Sequence, residues 1–102
     1  MCGICGKVYF DPQSQVEEDL IRRMCDVLRH RGPDEGGLYV DRYVGLGHRR
    51  LSIIDLVTGQ QPMCNVRQDI WIVFNGEIYN FPELRKDLEQ RGYRFHSTSD
   101  TE

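Results

Sequence analysis

The chain has 102 residues, of which 39% are hydrophobic and 28% are charged, a balance typical of a folded globular domain and unlike that of a disordered segment. Acidic residues outnumber basic ones by 16 to 13, and the net charge of -3 disfavours binding to nucleic acid or to an anionic membrane. We see no signal-peptide pattern and no run approaching a membrane helix, so we expect a cytoplasmic protein whose four cysteines are thiols.

The start of the chain predicts a strand followed by a helix. The run ICGKVYF at residues 4–10 is rich in β-forming residues and is followed by an Asp-Pro turn. Apolar residues then recur at helical spacing over residues 16–29. Ser14 and Glu17 have the spacing of a capping box, and Gly32 supplies a stop. We therefore predict an amphipathic helix over residues 16–29.

The middle of the chain predicts a hairpin and a buried strand. The runs GGLYV and VGLGHRRLSII, on either side of Asp41 and Arg42, indicate two strands joined by a tight turn. Residues 55–69 are polar and contain glycine and proline, which favours a loop or a segment that ends in a second turn. The run IWIVF at residues 70–74 is uniformly apolar, so we expect a strand that is buried on both faces.

The last third of the chain predicts a second helix and a final strand. A second capping box begins at Asn80, and the helix that follows carries Leu84 and Leu88 on one side and ends at Gly92. The alternation in YRFHS at residues 93–97 indicates a strand. The predicted order is β-α-β-β-β-α-β, an α+β fold whose strands pair mostly with their neighbours in an antiparallel manner.

Cys2 is the candidate nucleophile. Removal of Met1 would leave a thiol and a free α-amine on this one residue. An α-amine, with a pKa of about 8, can accept the thiol proton at neutral pH, directly or through a water, so that no separate histidine is needed. Consistently, none of His30, His48 and His96 occupies a position that suggests a partner for a Cys-His dyad.

Cys2 and Cys5 also form a C-x-x-C pair, which can indicate a redox dithiol or half of a zinc site. A redox pair is expected after a strand and at the start of a helix, whereas this pair precedes a strand. Zinc would need two more ligands, and Cys25 with Cys64 lacks the close second pair typical of such sites. We interpret Cys5, Cys25 and Cys64 as core thiols and expect no metal site. By position alone, Cys2 is more often an ordinary small residue.

Five sequence strings together carry a resemblance to a known family. They are CGI at the start, RHRGPD at 29–34, HRRLSIIDL at 48–56, FNGEIYN at 74–80 and SDTE at 99–102. In this order and spacing they resemble class II glutamine amidotransferases, with the greatest likeness to the branch of glutamine-hydrolysing asparagine synthetases. The resemblance implies the N-terminal nucleophile hydrolase fold, a four-layer α-β-β-α sandwich. It also implies that Cys2 hydrolyses glutamine to glutamate and ammonia through a γ-glutamyl thioester.

The same resemblance assigns roles to single residues. Asn75, through its side-chain amide, and Gly76, through its backbone N–H, resemble the oxyanion hole. Arg50 resembles the residue that holds the α-carboxylate of glutamine, a task suited to a planar guanidinium, and Asp100 resembles the carboxylate that receives the α-ammonium. The remaining positions that line the family's glutamine pocket are Leu51, Ser52, Ile53, Ile54 and Glu77.

Each of these residues also has a plainer interpretation. Arg50 is one of two adjacent arginines and could lie on the surface, and Asp100 could be an ordinary chain-end carboxylate. Asn75-Gly76 is the dipeptide of a hairpin turn. The turn is disfavoured here because Asn-Gly follows the apolar run IWIVF and is not followed by an alternating partner strand.

The family's glutaminase domain continues beyond residue 102, so the resemblance predicts that this chain is its N-terminal part. A separate synthetase domain of the same protein, absent here, would bind ATP and Mg and use the ammonia to convert aspartate to asparagine. The chain contains no phosphate-binding glycine loop, so we expect no cofactor in it. The sequence leaves open whether the protein forms a homodimer. The alternatives are a synthetase-like amidotransferase that acts on another carboxylate, and a catalytically silent interaction module.

Overall fold

The computed structural model describes residues 2–51 and 59–102, and within them the chain has an α+β fold. The elements in chain order are β1 (Gly3–Val8), α1 (Glu18–Val27), β2 (Glu35–Asp41), β3 (Val44–Arg50), β4 (Met63–Cys64), β5 (Trp71–Ile72) and α2 (Phe81–Gln90). All of the strand pairs in these sheets are antiparallel. The α+β class and the antiparallel pairing are therefore as predicted. The predicted order β-α-β-β-β-α-β is wrong, because residues 63–64 of the predicted loop form β4 and no strand follows α2 within the described residues.

Strands β1, β3 and β2 form a three-stranded sheet with β3 in the centre. Asp41 is paired with Val44, so the turn of the β2–β3 hairpin consists of Arg42 and Tyr43. The predicted hairpin is confirmed, with its turn one residue later than expected. Residues 52–54, which we predicted as the end of this strand, lie outside the described residues.

Helix α1 covers one face of the sheet. Ile21 is fully buried and forms the core with Val16 and Cys25. The helix can come this close because β3 has glycine beneath it: a Cβ at Gly45 would lie 2.6 Å from Cγ1 of Ile21. Cys5 packs against this core, with its Sγ 3.7 Å from the Sγ of Cys25. These two cysteines are core thiols, as predicted.

The opposite face of the sheet carries the two-stranded ribbon of β4 and β5. The ring of Trp71 in β5 stacks on the ring of Tyr39 in β2, with their centroids 3.8 Å apart. Tyr39 pairs with Leu46, whose side chain points away from α1 because its neighbour Gly47 faces the helix. The described residues thus place a helix, a sheet and a ribbon in successive layers.

Two predicted strands differ from the structure. The run at 70–74 contributes only Trp71–Ile72 to a strand, and Ile70 and Ile72 are 67% and 42% exposed. The prediction of a strand buried on both faces is therefore wrong, because no further layer covers these side chains within the described residues. Residues 93–97 form no strand either. Their backbone N–H groups at His96 and Ser97 bind the carboxylate of Glu102, at 2.6 and 2.7 Å.

The two predicted capping boxes are also wrong. Ser14 donates its hydroxyl to Asp11, and the cap position of α1 is Glu17, which makes no side-chain capping bond. Helix α1 begins later than predicted because the N–H of Val16 bonds to the carbonyl oxygen of Arg42. Asn80 does occupy the cap position of α2, but its side chain makes no capping bond.

Much apolar surface remains uncovered. Helix α2 has no buried residue, although Leu84 and Leu88 lie on it as predicted. The radius of gyration is 14.8 Å, against about 13 Å for a compact domain of this length. None of the helices in the described part of the chain is long and apolar enough to cross a membrane.

Candidate functional site

The antiparallel pairing of β1 with β3 positions the candidate nucleophile. Gly3 is paired with Arg49, so the residue before β1 lies beside the residue after β3. The backbone N–H of Leu51 lies 3.4 Å from the Sγ of Cys2, and that Sγ lies 3.9 Å from the carbonyl oxygen of Leu51. The thiol of Cys2 is half-buried at this edge of the sheet. Cys5 contacts Cys25 instead, so the two cysteines of the C-x-x-C pair have different surroundings.

A cavity of about 550 Å³ lies beside Cys2, within the range of about 300–1,000 Å³ typical of small-molecule sites. It brings together seven of the predicted site residues, which are Cys2, Arg50, Leu51, Asn75, Gly76, Glu77 and Asp100. The other three predictions, Ser52, Ile53 and Ile54, lie outside the described residues. Residues that are far apart in the sequence therefore share one cavity.

Arg50 brings a positive charge to the cavity and is only 7% exposed, which is unlike a surface arginine. It is the last residue of β3 and is paired with Glu35, whose carboxylate lies 3.3 Å from its Nη1. A buried guanidinium requires such a partner because burial without one is costly. The adjacent Arg49 has a different environment, since it donates to the carbonyl oxygens of Gly32 and Pro33.

Gly59 allows the chain to pass close to this guanidinium. Its φ of +76° lies in the left-handed region, where residues with a side chain are disfavoured. A Cβ at this position would lie 3.3 Å from Nη2 of Arg50 and 3.1 Å from the Cβ of Ser99. The close approach of three segments at Arg50 therefore depends on glycine at 59.

The segment with Asn75 and Gly76 runs between β5 and α2. It leads through residues 77–80 into the helix, so this Asn-Gly is not the turn of a β-hairpin. The ring of Phe74 packs close to Gly76, where a Cβ would lie 2.8 Å from its Cζ. Upstream, the backbone N–H of Phe74 donates to Oε1 of Gln61 at 2.6 Å. The backbone on the N-terminal side of Asn75 is thus anchored by a side chain.

Asp100 is anchored from the other side of the cavity. Its Oδ2 accepts a hydrogen bond of 2.8 Å from the backbone N–H of Ile78. The loop around it is held by Ser99, whose Oγ accepts from the N–H of Thr101, and by Glu102, which binds the N–H and the hydroxyl of Ser97. Asp100 is therefore a fixed carboxylate on the cavity wall, unlike a mobile chain-end residue.

His48 lines the same cavity, although our sequence analysis gave it no role. It is 1% exposed, and among the described residues its Nε2 has no hydrogen-bond partner. Burial lowers the pKa of His48, and the positive charge of Arg50 adds to this shift, whereas a hydrogen bond with the backbone of Phe74 and the negative charge of Glu35 oppose it. The lowered pKa favours the neutral form of the imidazole. The sequence could have indicated this residue, because strand alternation places His48 on the same face as Arg50.

The charges of the cavity suit an amino acid that carries both a carboxylate and an ammonium group. Arg50 supplies one positive charge, and Glu77 and Asp100 supply carboxylates. The thiol of Cys2 adds a nucleophile, and Asn75 adds an amide donor. Among residues 2–51 and 59–102, no group of three or more His, Cys, Asp or Glu side chains could hold a metal ion.

Comparison with known proteins gives one family and a set of relatives. The sequence profile of the family described as glutamine amidotransferase domain matches residues 1–102. Glutamine-hydrolyzing asparagine synthetase 1 of Bacillus subtilis (strain 168) is 49% identical over 104 residues, which cover 100% of this chain and 16% of that protein. Asparagine synthetase 3 of the same organism is 45% identical, over 100% of this chain and 17% of that protein.

A plant relative matches over the same extent. Glutamine-hydrolyzing asparagine synthetase 1 of Arabidopsis thaliana is 41% identical over 102 residues, which cover 100% of this chain and 17% of that protein. The chain thus spans about a sixth of the length of these curated relatives, and it matches their N-terminal part.

Proposed function

Because the chain belongs to the family of glutamine amidotransferase domains, we propose that it carries the nucleophile and the glutamine pocket of a glutaminase, and that the full-length protein hydrolyses glutamine to glutamate and ammonia. The observation that supports this most strongly is the single cavity lined by Cys2, Arg50, Asn75 and Asp100. These four residues are spread over almost the whole chain, so a chance grouping of them in one cavity is improbable.

In the proposed reaction, removal of Met1 makes Cys2 the first residue. Its α-amine takes the thiol proton, and the sulfur attacks the side-chain amide carbon of glutamine. The C–S bond forms as the amide carbonyl becomes an oxyanion, which Asn75 and Gly76 stabilise. One such preorganised donor is typically worth about 3 kcal/mol of barrier. The intermediate then collapses, the amine's proton goes to the leaving nitrogen, and ammonia departs.

The thioester that remains is hydrolysed by water. The α-amine of Cys2 now acts as base towards that water, whose oxygen attacks the thioester carbonyl within the same pair of oxyanion donors. The C–S bond then breaks, the proton held by the amine goes to the departing sulfur, and glutamate leaves, so atoms and charges balance over the cycle. A retained Met1 would turn this amine into a peptide nitrogen and remove the base, and we expect such a protein to be inactive.

Substrate binding in this proposal uses both charged ends of glutamine. Arg50 holds the α-carboxylate, and its burial against Glu35 supports this role because the partner keeps the guanidinium in place. Asp100 receives the α-ammonium. Leu51 and Glu77, which also line the cavity, complete the pocket among the described residues. The spacing of these anchors would then select an amino acid with a side-chain amide of glutamine's length.

The wider role is also a proposal and is supported by the names of the relatives. We infer that the chain is the N-terminal part of a glutaminase domain with the N-terminal nucleophile hydrolase sandwich, followed by a synthetase domain that binds ATP and Mg. Ammonia would pass through the protein interior to that domain and convert aspartate to asparagine, since ammonia released into water is protonated and loses its nucleophilicity. The protein would be cytoplasmic, and a homodimer is consistent with it.

The decisive experiment exposes the full-length protein to a diazoketone analogue of glutamine and locates the adduct by mass spectrometry. We expect one adduct, on Cys2, with N-terminal Met1 absent and with hydrolysis of glutamine abolished. Cys2→Ala should form no adduct, whereas the control Cys64→Ala, in β4, should behave like the wild type. An adduct on another residue, or hydrolysis by Cys2→Ala, would refute the proposal.

A further inference from the structure

Gln61 uses both ends of its side-chain amide to join two segments of the cavity wall. Its Oε1 accepts the hydrogen bond from the backbone N–H of Phe74, at 2.6 Å. Its Nε2 donates to the hydroxyl of Thr101, at 3.2 Å. Gln61 itself is half-buried and lines the cavity. It contacts partners that lie 13 and 40 positions away in the sequence.

These two partners are next to the residues on which the proposed chemistry depends. Phe74 immediately precedes Asn75 and Gly76, and Thr101 immediately follows Asp100. Neither segment belongs to a helix or strand, because β5 ends at Ile72 and none of residues 98–101 is part of a helix or strand. Regular backbone hydrogen bonding therefore does not set the distance between them, and side-chain contacts have to do so.

We propose that Gln61 is a positioning residue for glutamine hydrolysis. Together with the hydrogen bond from Ile78 to Asp100, it sets the spacing between the oxyanion donors at Asn75 and Gly76 and the ammonium-binding carboxylate of Asp100. This inference rests on the proposed function. A glutamine molecule held by its α-ammonium presents its amide carbon to Cys2 only if that spacing matches the length of its side chain. A misplacement of about 1 Å can cost about 100-fold in rate, so a fixed spacing has a direct catalytic value.

The chemistry of the contact explains why the residue is glutamine. Phe74 offers a donor and Thr101 offers a hydroxyl acceptor, so the joining group has to present one acceptor and one donor at the same time. A neutral carboxamide does this. Glutamate would keep the acceptor and lose the donor, and methionine would keep the length of the side chain and lose both.

The test compares three variants in the full-length protein: Gln61→Met, Thr101→Val and Gln90→Met. Gln90 is exposed at the end of α2 and lies outside the cavity lining, so it controls for the chemical change itself. Active sites are counted by labelling Cys2 with the diazoketone analogue, and kcat is expressed per labelled site. A merely structural role would lower the number of sites but leave kcat per site and KM unchanged.

We expect Gln61→Met to lower kcat per site about 10- to 100-fold and to raise KM several-fold, because Phe74 and Thr101 both lose their hydrogen bond to residue 61. Thr101→Val keeps the bond to Phe74, so we expect KM to rise about 3- to 10-fold with kcat within about threefold of the wild type. Gln90→Met should match the wild type. This separation of kcat from KM between the two variants is the signature of the proposed role.

Failure of this inference can be told apart from failure of the proposed function. If the wild type neither hydrolyses glutamine nor forms the Cys2 adduct, both are wrong. If the wild type does both, and Gln61→Met has the wild-type kcat per site and KM, only the role of Gln61 is wrong. If Gln61→Met does not fold, Thr101→Val decides, and an unchanged KM in that variant overturns the proposal.

Discussion

The carboxylate of Asp100 accepts a hydrogen bond from the backbone N–H of Ile78, with 2.8 Å between Oδ2 and N. Ile78 lies two residues after Gly76, so this bond ties the proposed ammonium acceptor to the backbone that follows the proposed oxyanion donors. A carboxylate has about four acceptor positions, and one bond leaves capacity for a substrate ammonium.

Asp100→Asn separates the charge of this residue from its structural bond. The amide oxygen of asparagine can still accept from Ile78, so we expect the loop to keep its conformation. Loss of the negative charge should raise KM for glutamine about 10- to 100-fold, because hydrogen bonds to charged groups contribute about 1.5–3 kcal/mol. Steady-state kinetics would measure this. The control Asp87→Asn removes only an exposed ion pair with Arg91 on α2, and its KM should stay at the wild-type value.

Arg50→Lys tests the carboxylate-binding role against the neighbouring arginine. Lysine cannot form the paired bonds of a guanidinium, so we expect KM for glutamine to rise at least about tenfold. Arg49 donates to the backbone carbonyls of Gly32 and Pro33 and does not line the cavity. Arg49→Lys should therefore change thermal stability more than KM. Equal effects of the two substitutions on KM would contradict the assignment.

Gly59→Ala should weaken substrate binding as well as stability. The positive φ of this position should cost about 1–2 kcal/mol for alanine, and its Cβ would press on Nη2 of Arg50. We expect a lower unfolding temperature together with a raised KM. Gly92 is a matched control, since its φ is +97° but a Cβ there has no neighbour within 4 Å. Gly92→Ala should lose similar stability and keep the wild-type KM.

His48 should make the protein less stable below about pH 6.5. Its pKa in the folded state is lowered, chiefly by burial, so the unfolded state binds the proton first as the pH falls. The contribution of the neutral imidazole to stability is complete above the ordinary pKa of about 6.5 and is lost progressively below it. We expect His48→Gln to flatten the fall in unfolding temperature from pH 6.5 to 5. An unchanged slope would show that other groups govern it.

The 102-residue chain by itself should have low stability or should self-associate. Its described residues bury only Val16, Ile21 and Cys25 as a hydrophobic core, while Phe10, Val66 and Tyr79 are largely exposed. Uncovered sheet edges and apolar faces favour association between molecules. Urea unfolding combined with analytical ultracentrifugation would measure both properties. A monomer with a cooperative transition and ordinary stability would contradict this expectation.

The elements that depend on local pattern were predictable from the sequence. Strand β1, helix α1 and the hairpin of β2 and β3 follow from β-forming runs, helical spacing and a turn, each of which lies within a short stretch of chain. The prediction for residues 70–74 was wrong because burial of a strand on both faces depends on the layers that pack against it, which the run itself does not specify. The prediction of a final strand at residues 93–97 was wrong because the backbone N–H groups of His96 and Ser97 bind the carboxylate of Glu102, which lies several residues further on.

The chemical types of the site were legible in the sequence: a cysteine at position 2, an arginine, an Asn-Gly pair and an aspartate, in strings that resemble one family. Their meeting in one cavity was decided by tertiary structure. The pairing of Gly3 with Arg49 sets Cys2 beside Leu51, and α1 occupies the other face of β3, so His48 and Arg50 face the cavity. The contacts of Gln61 join segments 40 positions apart, a distance over which no local pattern carries information.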